Sequence, residues 1–210
     1  MQLSYNKNIE TIKFLHNIYF IDHTNITDNK HNFLTVNDYE TKKKNLFIKA
    51  VYHNDFDYLN KMHKYIDVET IKTCFIIAVT HNKNIEIISL LHNTFDIDHN
   101  SIKNNDNENL LFIACSNNAS IHIVRYLVEN LKIDTTFKNK RGRNCLLEAC
   151  DHSCDNFEII KYFVEKLHMN FDDMANDTII IQILHLYGHL DIIKYLIEKN
   201  IGGGGLIFNF

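Results

Sequence analysis

A stretch near the end of the chain, YGHLDIIKYLIEKN at residues 187–200, is echoed three times upstream. The echoes are NKNIEIISLLHN, ASIHIVRYLVEN and DNFEIIKYFVEK, and each places apolar residues at helical spacing behind a polar start. Self-similarity at a period of about 20–50 residues is typical of an array in which each unit stacks on its neighbours. Repetition therefore constrains this fold more strongly than any single motif does.

One apolar position aligns these stretches with a fifth, weaker copy. The steps between successive copies are 29, 36, 36 and 33 residues. Ahead of each copy lies a shorter apolar segment, such as NLLFIAC or NCLLEAC, and four of the five segments carry an alanine at the same place. Each unit is predicted to be a short helix, a brief turn and a longer second helix. The aligned apolar residues are Phe56, Ile85, Ile121, Phe157 and Leu190, and the alanines are Ala50, Ala78, Ala114 and Ala149.

The second helix carries more apolar surface than a helix with one wet face requires. Between Ile121 and Leu131, apolar residues cover an arc much wider than a single buried stripe. Two helices of about ten residues cannot bury such faces on each other, so several units must stack. The sequence therefore predicts an all-α solenoid.

These residues resemble the ankyrin repeat, whose units combine a turn glycine, Thr-Pro-Leu-His, an alanine pair and a second helix that begins Gly-His-Leu-Glu. In NKRGRNCLLEAC, Gly142 matches the turn glycine, Asn144 the threonine, and Ala149 with Cys150 the alanine pair. Residues 188–191 match the start of the second helix. The Asn- and Ile-rich style is similar to that of ankyrin proteins from large DNA viruses of amoebae. The resemblance implies an ankyrin-type helical-repeat solenoid with degenerate hairpins.

Departures from the repeat pattern carry further predictions. Asn107 stands at the turn-glycine place of the third unit, and asparagine tolerates φ > 0 better than most side chains. The second unit has Ile71 at that place, so it is predicted to lack the hairpin and to form a longer helix capped by Asp67. In the first unit, Asn37 and Glu40 have capping-box spacing, which predicts a longer helix there too.

The repeats divide the chain into three predicted regions. The array of about five ankyrin-like repeats is expected over residues 45–200. Residues 1–44 are expected to form an N-terminal cap or half-repeat, because NIETIKFLHN looks like a second helix without its first helix. Residues 201–210 contain four consecutive glycines, which cannot continue a helix, and are expected to be a C-terminal tail.

Composition excludes several classes of protein. A net charge of −4 and a pI near 6.3 give no electrostatic reason for nucleic acid or an anionic membrane to be the main partner. The chain has no apolar run of about 18 residues and no secretory signal, so a protein that is neither membrane-spanning nor secreted is expected. We therefore expect an intracellular monomer, in the host cytoplasm if viral, whose five cysteines are free thiols.

A cluster of cysteines raises the hypothesis of a zinc site at Cys145, Cys150, Cys154 and His152. Structural zinc usually takes closely paired ligands from converging turns, whereas two of these thiols fall on repeat positions, so no metal or cofactor is expected. No set of nucleophile, base and orienting group is visible, and no phosphate-binding glycine loop, so no enzymatic activity is expected. His189 is expected to hydrogen-bond the backbone at a helix start.

The resemblance implies that the chain binds another protein through its hairpin tips and the face formed by its first helices. An alternative is polyanion or nucleic-acid binding through the basic residues 138–143, which concentrate four cations. A third alternative is a decayed paralogue without a partner, as the half-unit start and the glycine tail indicate. The residues expected to contact the partner are Asn107, Asn109, Lys140, Arg141, Arg143, Asn144, Asn176 and Thr178.

Overall fold

A computed structural model gives the structure of the chain. The chain divides into two compact units, residues 1–39 and 40–210, and almost all described residues belong to the second. The residues whose structure is described are 36–117, 119–151, 157–169 and 190–199. The predictions that lie outside them concern NIETIKFLHN, the tail at 201–210, His152, Cys154, Asn176, Thr178 and His189.

Helical structure accounts for every regular element of the described residues, apart from one isolated antiparallel bridge between Lys103 and Asn109. The all-α prediction is confirmed. Across this part of the chain, every helix is either too short or too polar to span a bilayer. In chain order the helices are α1 (Val36–His53), α2 (Phe56–Met62), α3 (Val68–Ile77), α4 (Ile85–Thr94), α5 (Leu110–Ser116), α6 (Ile121–Glu129), α7 (Cys145–Asp151), α8 (Phe157–Glu165) and α9 (Leu190–Glu198).

The predicted unit of two helices is confirmed at the centre of the array. Helices α5 and α6 form one unit and α7 and α8 form the next, and the short first helices α5 and α7 pack on each other. The second helices α4, α6 and α8 pack in the same sequence. The aligned Ala114 and Ala149 are completely buried, because a small residue lets neighbouring helices approach closely. Each unit thus buries its apolar faces on the units before and after it.

The first two units begin with longer helices, as predicted. The carboxylate of Asp67 accepts a hydrogen bond from the backbone N–H of Thr70 at 3.0 Å, which confirms the cap of α3. Helix α1 already begins at Val36, so Asn37 lies inside the helix and its predicted capping role is wrong. The first residue of a capping box must lie just before the first helical residue. Asn37 instead follows the helical residue Val36.

Candidate functional site

Two hairpin tips have the same backbone structure. We call Asn104–Glu108 the acidic tip and Asn139–Arg143 the basic tip. In both tips, the backbone N–H of the fourth residue donates to the carbonyl of the first residue at 2.9 Å. The backbone N–H of the first residue donates to the carbonyl of the fifth, at 3.1 Å in the acidic tip and 3.0 Å in the basic tip. The side chain of the first asparagine accepts two more backbone N–H bonds in each tip, at 2.8–3.1 Å. Asn104 and Asn139 were not predicted from the sequence, although they recur at one repeat position.

The fourth residue of each tip has a positive φ. Asn107 lies at φ 65° and Gly142 at φ 74°. The prediction that Asn107 replaces the turn glycine is therefore confirmed. Two different sequences, NNDNE and NKRGR, form one turn because each supplies a residue that tolerates the left-handed region.

Gly142→Ala should lower the free energy of unfolding by about 1 kcal/mol, because a side chain at this φ is strained. The space itself is open, since a Cβ built there would meet no atom within 4 Å. Gly142→Asn should cost less, because asparagine already holds this conformation in the acidic tip. Urea unfolding of the three proteins provides the measurement, and an alanine variant as stable as wild type would contradict the strained turn.

The exposed side chains of the two tips carry opposite charges. Asp106 and Asn107 are exposed in the acidic tip, while Glu108 is half-buried and accepts a hydrogen bond from Asn104 at 2.8 Å. In the basic tip Lys140 and Arg141 are exposed, and neither forms an ion pair with any described residue. The exposed side chains of Asp106, Asn107, Lys140 and Arg141 do not hold the turn, so they remain available to a partner.

Arg143 differs from its two basic neighbours because its guanidinium lies against α7. Its Nη2 is 2.6 Å from Asp151 Oδ2 and 3.3 Å from Glu148 Oε2. Its side chain is only 17% exposed. The expectation of an exposed tip cation is wrong here, since the run FKNKRGR gave no sign of the two carboxylates that the following helix brings within reach. Arg143 ties the tip to its own unit.

Asn109 and Asn144 are helix caps with 1% and 9% exposure. The Oδ1 of each accepts a backbone N–H, from Phe112 and Leu147 respectively, at 2.9 Å. Asn109 also donates through Nδ2 to the carbonyl of Asp134, in the loop that follows α6, at 2.9 Å. The expectation that these two side chains face a partner is corrected: they stand at the threonine position of the repeat, which caps the first helix.

The expected first-helix face is small at the centre of the array. Every residue from Leu110 to Cys115 and from Cys145 to Cys150 is buried, because these short helices lie between neighbouring units. Only the last residues of the two helices, Ser116 and Asp151, are partly exposed. Binding through this face would have to use α1 and α3, where Tyr52 is 52% exposed. The tips are therefore the better candidates.

The described cysteines are all free and buried. Burial raises the pKa of the Cys145 and Cys150 thiols to about 12, so both stay protonated near neutral pH. A protonated, buried thiol is a poor nucleophile and a poor metal ligand. Within the described ranges, no three His, Cys, Asp or Glu side chains are placed to hold one metal ion.

A ladder of tyrosines links the second helices of successive units. These contacts were not predicted from the sequence, although RYLVE, KYFVE and KYLIE repeat the tyrosine in register. Burial, and to a smaller extent the hydrogen bond to Glu129, raises the pKa of Tyr162 to about 12. The hydroxyl therefore keeps the proton that it donates. The three links are Tyr126 to His92, Tyr162 to Glu129 and Tyr195 to Glu165, each at 3.0 Å.

Comparison with protein families agrees with this architecture. A family model described as ankyrin repeats in three copies matches residues 75–177 and, in a second overlapping match, residues 111–204. No curated protein matches the chain. The matched residues contain both tips and extend over more than half of the chain, and the same stretch holds the paired helices, the buried alanines and the positive-φ turns. The chain belongs to the ankyrin-repeat family.

Proposed function

We propose that the chain is a non-enzymatic scaffold that binds another protein through its hairpin tips. The observation that carries this proposal is the contrast between two adjacent tips, which share one backbone structure but expose opposite charges. Asp106 lies on one, and Lys140 and Arg141 lie on the next. Ankyrin repeats generally mediate protein–protein interaction, and charges of opposite sign on neighbouring tips would orient a partner as well as attract it.

The other predicted contact residues support the tips indirectly. Asn109 and Asn144 cap the first helices, and Arg143 is held by α7, so all three fix the turns that carry the exposed side chains. A turn held in one conformation loses little entropy when a partner binds. We therefore assign binding to the exposed residues Asp106, Asn107, Lys140 and Arg141.

Charge reversal of the basic tip tests the proposal. The double variant Lys140→Glu/Arg141→Glu should capture its partner from the native host cell about ten-fold less well, because reversed charges repel the surface that the tip attracts. The matched control is Lys61→Glu/Lys64→Glu, which makes the same charge change on two exposed lysines of another unit. Quantitative mass spectrometry of affinity-purified complexes gives the ratio, and melting temperatures show whether both variants fold.

The control should capture the partner as wild type does. Equal capture by all three proteins would contradict binding through the basic tip. The alternative of polyanion binding through residues 138–143 has less support, because Arg143 is neutralised by two carboxylates. The free thiols support a reducing intracellular setting, while the monomeric state and the viral origin stay predictions.

A further inference from the structure

An open groove of about 590 Å³ runs along α4. Three successive second helices line it: Phe56 comes from α2, Ile85 and Leu90 from α4, and Tyr126 from α6. All four side chains are half-buried. The groove thus lies on the second-helix side of the array and is formed by residues other than those of the two tips.

The groove lies where α4 departs from the pattern of the later second helices. In α6 and α8 a cation lies over the tyrosine of the following unit. The Arg125 guanidinium carbon is 5.3 Å from the centre of the Tyr162 ring, and Lys161 Nζ is 5.9 Å from the centre of the Tyr195 ring. At the same register, four residues after the aligned apolar position, α4 has the short side chain Ser89.

Among the ladder tyrosines Tyr126, Tyr162 and Tyr195, Tyr126 is consequently the one whose ring has no cation from the preceding second helix over it. Its hydroxyl is 3.0 Å from His92 Nδ1, and the centres of the two rings are 5.9 Å apart with their planes at 82°. The ladder glutamate is also replaced, since α4 carries Asn93 at that position, where it donates to Ser89 at 3.3 Å. Two short neutral side chains therefore leave open the space that an arginine or lysine and a glutamate fill elsewhere.

An acidic group stands at the same groove. Glu86 is exposed and belongs to the groove lining, and its carboxylate pairs with no cation among the described residues. A cation that entered would meet the carboxylate of Glu86 and the aromatic ring of Tyr126, while its methylene groups could pack on Ile85 and Leu90. Both attractions favour positive charge, and the apolar walls favour a long stem.

We propose that this groove is a docking site for an arginine side chain presented by a partner protein. The guanidinium takes the place over Tyr126 that Arg125 takes over Tyr162 in the next unit, with Glu86 as its counter-charge. Arginine fits better than lysine because its planar, weakly hydrated group stacks on an aromatic ring. The site uses a different face from the tips, so it does not depend on the function proposed for them.

Titration of the ¹⁵N-labelled full chain with N-acetylarginine methylamide tests the site. We expect saturable amide shifts confined to α4 and to the residues around Phe56 and Tyr126, with a dissociation constant that is roughly millimolar for so small a probe. N-acetylcitrulline methylamide has the same shape without the charge and should bind about three- to ten-fold more weakly. Equal shifts from the two probes, or none from the arginine probe at tens of millimolar, would overturn the proposal.

The variant Ser89→Arg places a cation at the position that Arg125 and Lys161 occupy in the later units. It should abolish the shifts caused by the arginine probe and raise the melting temperature, since it completes the ladder. Asn130→Arg adds the same charge at the exposed residue that follows α6, outside the groove lining, and should leave the shifts unchanged. Glu86→Gln should weaken the probe about two- to five-fold. Unchanged affinity in both groove variants would refute the assignment, whatever the tips bind.

Discussion

Arg143→Glu should lower the free energy of unfolding by about 3 kcal/mol or more, although the residue lies at a surface turn. The new carboxylate would face Asp151 and the nearly buried Glu148, so three negative charges would meet where the native chain has a cation between two acids. Removing one partner of a largely desolvated ion cluster costs more than the cluster contributes, because the remaining charges stay buried without compensation. Urea denaturation followed by circular dichroism measures the loss.

Arg141→Glu is the matched control, since it makes the same change two residues away on the same tip. Arg141 is exposed and makes no ion pair with the described residues, so its reversal should change stability by no more than about 0.5 kcal/mol. If the two variants unfold at the same urea concentration, Arg143 does not hold the tip to α7. The pair therefore separates a structural cation from one available to a partner.

Asn109→Ala should lower the free energy of unfolding by about 2–3 kcal/mol. The change removes the acceptor that caps α5 and also the donor to the Asp134 carbonyl in the loop after α6, both supplied by a side chain that is 1% exposed. Asn109→Ser keeps an acceptor for the cap but loses the hydrogen bond to the Asp134 carbonyl, so about half of the loss should remain. Chemical denaturation of both variants gives the two contributions.

Asn105→Ala provides the comparison for this site, because Asn105 is an exposed asparagine in the preceding tip. Its replacement should leave stability within about 0.5 kcal/mol of wild type. An Asn109→Ala variant that is equally stable would mean that water replaces both of its hydrogen bonds.

Local features of this protein could be predicted from its sequence. The unit of two helices, the cap at Asp67 and the positive φ of Asn107 each depend on residues within one turn or one unit. Hydrophobic spacing and capping residues act over that range, so the repeat alone identifies them. The buried Ala114 followed from its recurrence at a position where neighbouring helices meet.

Contacts between distant residues could not be predicted in the same way. The sequence shows Arg143 as one of four cations, but only the folded chain places it between two carboxylates. The bond from Asn109 to Asp134 depends on how the loop after α6 returns to the start of α5, which repeat spacing does not specify. The tyrosine ladder was visible as a recurring residue, yet its glutamate partners lie one unit away. The contacts of Arg143 and Asn109 remove these two side chains from the set that a partner could bind.

The distribution of the buried cysteines also gives the native chain its own reporters of local opening. Cys74 lies in the second unit, Cys115 in the third, and Cys145 and Cys150 in the fourth, each buried and free of any disulfide. An alkylating reagent reacts only with an exposed thiolate, so each modification must follow an opening of the surrounding unit. The rate of alkylation at each cysteine, followed by mass spectrometry, therefore compares how often successive repeats open. The native cysteines suffice, so no engineered residue is needed.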